Sequence, residues 1–417
     1  MSVENLPLRY AATVLVSNVD KKSADGEIPV RLVNYTDVYY RPIIRPDQEF
    51  MMATATMDQV ARFGVRPGDS IITKDSETPD DIAVSTYVEQ SASDMVCGYH
   101  LALLRPSDRV VPKFLSWALA SDQVRGQFSI RANGMTRYGL TYEAIQSVVV
   151  PLPPLEEQRR IADFLDDQVT RIDRVCELRT RQARLLGDVA NASVHNIFEA
   201  FAQRFGVAPL RRYVGGIEQG GSPVAGEPGG ASDLAVLKTS AIKAGRFLAQ
   251  ENKALLDPEK FEASCELGEG DVLVVRGSGS SELVADVAEV VLPSNAPRIM
   301  LSDLTYRLVD LKLEPAFAVG ALLAPQARSQ MRSLVRQGSG PAKARGEDVL
   351  SIEIPRATCE AQREFAGLYW QVRNDVDAMS ATYLRALTLL EDYKRSLITA
   401  AVTGQLDVTT ARSGLSV

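Results

Sequence analysis

The sequence predicts two mixed α/β (α+β) domains related by an internal repeat, separated by two long helices that pair with each other. Three observations carry this expectation. The chain of 417 residues duplicates itself at an offset near half its length. Short Val/Ile/Leu runs alternate with Gly, Pro, Asp and Asn turn signals in each copy, as in a mixed domain with a bent sheet. Each copy ends in a long apolar stripe at helical spacing.

The duplication is clearest around two glutamines. Pro151 to Arg159 reads PLPPLEEQR and Pro355 to Arg363 reads PRATCEAQR, placing Gln158 on Gln362 at an offset of 204 (362 − 158). The same offset carries Gly134 to Gly338, Ile145 to Val349, Val148 to Ile352 and Val150 to Ile354. Earlier segments correspond at nearly the same distance. Leu8-Arg9-Tyr10 resembles Arg211-Arg212-Tyr213, and the strand from Ile28 to Asn34 resembles that from Leu234 to Thr239. Pro67 to Thr73 resembles Glu269 to Val275, a turn feeding a buried strand, and Tyr99 to Leu104 resembles Asp303 to Leu308. Order and spacing agree throughout, which separate coincidences would not produce.

Each globular part is expected to hold about 150 residues and one internal helix, Val111 to Phe128 in the first and Pro315 to Leu334 in the second. The expected divisions are 1–150, 151–206, 207–353 and 354–417: a globular domain and a helical region, twice over. In the first helical region Ile161, Leu165, Val169, Ile172, Cys176 and Leu186 form one stripe. In the second, Val372, Val376, Met379, Tyr383, Ala386, Leu390, Tyr393 and Leu397 step alternately by four and three, a heptad seam. About 40 helical residues span roughly 60 Å, more than a domain of this size can cover. Pairing of the two helices buries both stripes.

Composition excludes several classes. Hydrophobic residues at 45% and charged residues at 24% suit a globular protein, and no run approaches the roughly 20 apolar residues of a membrane span. Met1 to Asn5 is polar without a signal-like apolar region, so a cytoplasmic protein is expected. Cys97, Cys176, Cys265 and Cys359 are scattered, with only His100 and His195 to assist, so free, mostly buried thiols are expected rather than a metal site. No phosphate-binding G-x-x-x-x-G-K-[ST] loop and no G-x-S-x-G elbow occurs. The Gly-rich run Arg276 to Ser281 lacks the lysine and spacing of a nucleotide loop, and Asp257-Pro258-Glu259-Lys260 only superficially resembles the aminomethyltransferase tetrapeptide. Asp80-Asp81, Glu156-Glu157 and Asp166-Asp167 read as solvated faces or turns. No catalytic centre and no cofactor or metal site is expected in this chain.

The run Val150 to Ile161 (VPLPPLEEQRRI) resembles the opening of the first spacer helix of type I restriction-modification specificity subunits. Gly134 to Leu140 (GMTRYGL) is similar to the loop preceding it in that family, and Ser396 to Val408 resembles the ending of its second spacer. Ile28 to Tyr39 is similar to one class of target-recognition domain, so the resemblance extends over essentially the whole chain. The second copy departs from the pattern: Arg356-Ala357-Thr358-Cys359 stands for Leu-Pro-Pro-Leu and Gly338-Ser339-Gly340-Pro341 for Gly-Met-Thr-Arg.

The resemblance implies a non-catalytic subunit whose two domains each read half of a split, asymmetric site in double-stranded DNA. An antiparallel coiled coil of the helices would fix the unread gap. Two methyltransferase subunits would methylate adenine N6 from S-adenosylmethionine, and motor-nuclease subunits would supply ATP- and Mg2+-dependent cleavage. Base edges are read by side chains with amide, hydroxyl or cationic groups. The candidates in the first domain are Lys21, Lys22, Asn34, Tyr35, Lys74, Arg131, Asn133, Thr136, Arg137 and Tyr138. Those in the second are Lys238, Thr239, Lys243, Arg276, Ser278, Gln337, Ser339, Lys343 and Arg345. The net charge of −7 runs against unaided duplex binding, so partners are expected to contribute much of the grip. Two other classes fit less of the sequence: a duplicated coiled-coil scaffold with no DNA role, which the acidity favours, and an enzyme with a site in Gly215 to Gly230.

Overall fold

The computed structural model describes residues 3–226, 233–278, 284–334 and 342–410, with the side chain of Ser278 left out. The chain divides into two compact units, residues 1–179 with 384–417, and residues 180–383.

In the first unit a five-stranded sheet runs in the order Ala12–Val16, Leu101–Pro106, Ser70–Thr73, Ser85–Val88, Ile43–Ile44. A three-stranded sheet sets Ile28–Val33 antiparallel to Met51–Ala55 and parallel to Met95–Cys97. Side chains alternate across a strand, and here both faces are covered. Ile72, Ala102 and Leu104 enter one core, while Ile71, Leu101 and Leu103 enter another. That explains why these strands read as continuous apolar runs rather than alternating ones.

The second unit repeats the plan. Its four-stranded sheet runs Gly216–Gln219, Thr305–Val309, Val272–Val275, Val287–Glu289, and Leu234–Leu237 lies antiparallel to Asn252–Ala254 and parallel to Arg298–Met300. Val272 and Val274 face one core, Leu273 and Val275 the other. The repeat extends to single hydrogen bonds. Lys74 N donates to His100 O as Arg276 N does to Leu304 O, and Leu140 N to Lys74 O as Ala344 N to Arg276 O. Ala83 and Ala285 both take positive φ, 58° and 63°. One sequence correspondence shifts by a residue: Leu8 N donates to Val148 O and Leu210 N to Ile352 O, so Leu8 matches Leu210 rather than Arg211.

Each expected internal helix is two. Pro112–Ala120 and Asp122–Arg131 meet at Ser121, whose hydroxyl donates to Ala118 O at 2.6 Å and competes with the helical ladder. Pro315–Leu323 and Pro325–Leu334 meet at Ala324, because Pro325 excludes its predecessor from the helical region.

The first long helix runs Leu155–Phe205 and stops at Gly206, φ +75°. The second runs Cys359–Val402. In the first unit they pack antiparallel: Ile161, Leu165 and Ile172 share a core with Leu397, Ile398 and Val402, and Lys394 Nζ reaches Asp173 Oδ1 at 2.9 Å. In the second unit the Phe201 ring meets Phe365 edge-on at 5.2 Å, and Phe365 meets Phe317 at 5.1 Å. The stripe on the first helix is buried at Ile161, Leu165, Val169 and Ile172 and half-buried at Cys176 and Leu186. Six of the eight seam positions on the second, Val372, Val376, Tyr383, Ala386, Leu390 and Leu397, are buried or half-buried as expected. Met379 and Tyr393 are exposed, while Ser380, Leu387 and Lys394, one residue further on, are half-buried. Lys394 lays its aliphatic stem along the interface and takes its amine to Asp173.

The paired glutamines staple each long helix to its domain. Gln158, 1% exposed, accepts from Val111 N at 2.8 Å and donates to Pro153 O at 2.8 Å; Gln362 accepts from Glu314 N at 2.8 Å and donates to Ala357 O at 3.1 Å. Gln158→Ala leaves a buried amide and carbonyl unmatched, at about 1–3 kcal/mol each. Urea unfolding of that variant is expected to show a loss of about 2–4 kcal/mol. An unchanged midpoint would remove the staple from the account.

Candidate nucleic-acid interface

The first unit holds a cleft of about 490 Å³ between a short helix, a two-stranded ribbon and a turn. Asn34 starts the helix Tyr35–Tyr40 by accepting from Tyr35 N at 2.8 Å, and Asp37 completes the cap by accepting from Asn34 N at 2.8 Å. Tyr35 and Tyr39, one turn apart, stack with centroids 5.6 Å apart; Tyr40 meets Tyr39 edge-on at 4.8 Å. The opposite wall is the ribbon in which Asp75–Ser76 pairs with Tyr138–Gly139. It brings Thr136 and Arg137 to the cleft across some sixty residues of sequence. The loop above is closed by reciprocal backbone bonds between Asn133 and Gly139, 3.0 and 2.9 Å.

Carboxylates set the electrostatics. Tyr39 donates to Asp81 Oδ2 at 2.7 Å, and this bond, with burial, pushes its pKa up to about 12. Burial and the nearby carboxylates, Asp81 first, also raise Tyr35, against an opposing pull from Arg137. Both phenols therefore stay neutral hydroxyls at physiological pH. Asp75 is engaged by His100 Nδ1 at 2.7 Å and Lys74 Nζ at 3.4 Å, and Lys74 also sits over the Tyr99 ring. Asp81, read from sequence as part of a solvated pair, is thus a structural acceptor in the cleft. Glu77 stands exposed at the rim.

Of the first-domain candidates, the cleft gathers Tyr35, Thr136 and Arg137, with Lys74 and Tyr138 on the supporting ribbon. Lys21 and Lys22 are exposed on a separate loop. Asn34 is committed to the helix cap. Arg131 is tied to Ser147 Oγ and Gln127 O, and Asn133 donates to Arg131 O. Sequence reasoning missed Tyr39, Tyr40, Asp75, Glu77 and Asp81. The tyrosines at four-residue spacing, Tyr35 and Tyr39, were the available signal.

The second unit has a pocket of about 350 Å³ lined by Lys238, Thr239, Ser240, Lys253, Ser302 and Asp303. It does not include the ribbon Gly277–Ser278 with Ala342–Lys343, which corresponds to the wall of the first cleft. Lys238 and Ser240 both donate to Glu251 Oε2 at 2.7 Å. Arg276 donates to Asp303 O at 3.0 Å beside the Tyr306 ring. Lys343, paired across from Gly277, and Arg345 are exposed, as is Lys243 on a separate hairpin. The side chain of Ser278, and Gln337 and Ser339 entirely, lie outside the described residues, as does much of Gly215 to Gly230 beyond 226. By the equivalent strand pairings, Tyr35 and Thr36 in one unit correspond to Thr239 and Ser240 in the other. Gly279, Gly340 and Pro341, at the positions of Glu77, Thr136 and Arg137, lie outside the described residues.

Residues 28–176 match the model of the type I restriction modification DNA specificity domain, and this segment is a domain of that class. Over 401 residues the chain is 22% identical to the specificity subunit of the type I restriction enzyme EcoKI of Escherichia coli K12, covering 90% of this chain and 84% of that protein. It is 21% identical over 403 residues to the StySPI specificity subunit of Salmonella potsdam, with the same coverage. Its fold is similar, at a TM-score of 0.70, to a chain from a structure on assembly and conformational transition of the type I R-M system, 18% identical, covering 97% of this chain and 98% of that one. A second similar fold is the HsdS subunit of Thermoanaerobacter tengcongensis, TM-score 0.51, 17% identical, each chain covered to 97%.

Proposed function

We propose that this chain is the specificity subunit of a type I restriction-modification complex, in which each α/β domain reads one half of a bipartite, asymmetric DNA site. The observation that carries the reading is the repeated scaffold with different side chains at equivalent positions, Tyr35-Thr36 within the segment that matches a DNA specificity domain and Thr239-Ser240 in the other unit. A symmetric reader would need two equal surfaces. A scaffold without a DNA role would need neither.

The chain itself performs no chemistry in this reading. Two methyltransferase subunits carry S-adenosylmethionine and flip out the target adenine for N6 methylation, while motor-nuclease subunits carry ATP and Mg2+. The long helices serve as spacer and docking rod. The complex acts in the cytoplasm, consistent with the fact that no helix among the described residues is long and apolar enough to cross a membrane.

The test is co-expression with the cognate methyltransferase in a host lacking adenine methylation, followed by single-molecule sequencing of genomic DNA. N6-methyladenine at one split, asymmetric motif is the expected result. An assembled complex that methylates nothing would overturn the reading.

A further inference from the structure

In the ribbon that walls the first cleft, Gly139 pairs with Asp75 and Tyr138 with Ser76. Arg137 and Glu77 follow directly on the last pair at the end of the ribbon, and both line the cleft. Opposite charges facing each other across strands ordinarily pair. These two make no ion pair with each other or with any other described residue. Both are exposed, and both line the cleft beside Tyr35. The other charged groups there are already engaged: Asp75 by His100 and Lys74, Asp81 by Tyr39. The cleft mouth thus displays one bidentate donor and one acceptor without an ion-pair partner among the described residues.

A two-stranded ribbon fits the major groove of B-DNA, where guanine offers O6 and N7 as acceptors and its paired cytosine offers the N4 amine as donor. A free carboxylate facing the phosphates would repel them, whereas facing a cytosine amine it is matched. Resting on the specificity-subunit reading, we infer that Arg137 and Glu77 together read one G·C base pair, Arg137 taking guanine O6 and N7 and Glu77 the cytosine N4 amine. The neutral Tyr35 hydroxyl and the Tyr35–Tyr39 stack form the back of the site.

The experiment uses the full chain assembled with its methyltransferase on a library of sites randomised in both halves, with methylation read by sequencing. The half-site read by the first unit should contain a required G·C pair. Arg137→Ala and Glu77→Ala should each reduce the preference for that pair about tenfold or more, leaving the other half-site intact. Glu77→Gln should shift tolerance at that position towards adenine, since an amide reads adenine N6 and N7. The retained second half-site shows that the variants fold and assemble. A first half-site without a required G·C pair, or variants with unaltered preferences, would overturn the inference while the subunit reading stands. No methylation by the assembled wild-type complex would instead overturn the subunit reading.

Discussion

Asp69→Ala is expected to destabilise the first unit by about 3 kcal/mol or more, among the largest effects of any single polar substitution in that unit. Asp69 is 1% exposed and accepts from both Nε and Nη2 of Arg105, each at 2.9 Å, and from Arg66 N at 2.9 Å. Removing the carboxylate leaves the guanidinium of Arg105 with the Gly64 carbonyl, at 2.9 Å, in place of a charged partner. Arg105 keeps 21% side-chain exposure, so solvent offsets part of the loss, and the lower end of the 3–5 kcal/mol span for a broken buried pair applies. The repeat supplies an internal control. Asp271 in the second unit accepts from Arg307 Nη1 at 3.0 Å, but Arg307 is also held by Glu218, so Asp271→Ala should cost about half as much or less. The two tryptophans, Trp117 and Trp370, lie one in each unit. Urea titration of the Trp370→Phe and Trp117→Phe backgrounds therefore reads each unit separately. Equal losses in the two units would show that the arginine's second partner contributes nothing.

What sequence could show was decided by range. The repeat was legible because its signature lies in contiguous runs: the glutamine that staples each helix, the Gly-Asp turn before each central strand, the strand periodicity itself. The long helices were legible for the same reason. On the second helix only the Met379 and Tyr393 positions of the seam were misplaced, because two rows one residue apart, Met379 with Tyr393 and Ser380 with Lys394, both recur every seven residues. Only the partner, Asp173, decides for Lys394. The cleft was the least legible feature. Tyr35, Glu77 and Arg137 are scattered through a hundred residues, and only the Tyr138–Ser76 pairing brings them together. Candidates chosen by residue type alone accordingly mixed exposed side chains with ones already used, such as Asn34 in a helix cap and Arg131 on Ser147.

Gly134→Ala is the variant expected to separate function from stability. Gly134 has φ +153°, and a Cβ there would lie 1.9 Å from the carbonyl oxygen of Arg137 and 2.8 Å from its carbonyl carbon. Backbone atoms cannot yield as a flexible side chain would, so the loop from Asn133 to Gly139 must open. Opening breaks the reciprocal Asn133–Gly139 bonds and withdraws Thr136 and Arg137 from the cleft. The loop tip is exposed, Met135 being 95% exposed, and of the loop only Tyr138, half-buried, packs against the core. The unfolding free energy reported by Trp117 should therefore fall by about 1 kcal/mol or less. Specific DNA affinity of the assembled complex should fall at least tenfold, about 1.4 kcal/mol, with the remaining binding retaining its steep dependence on salt because phosphate contacts elsewhere persist. A variant that unfolds with its affinity would make this loop part of the core. One that keeps full affinity and an unchanged methylation motif would remove the loop from the DNA interface, and the assignment of Arg137 with it.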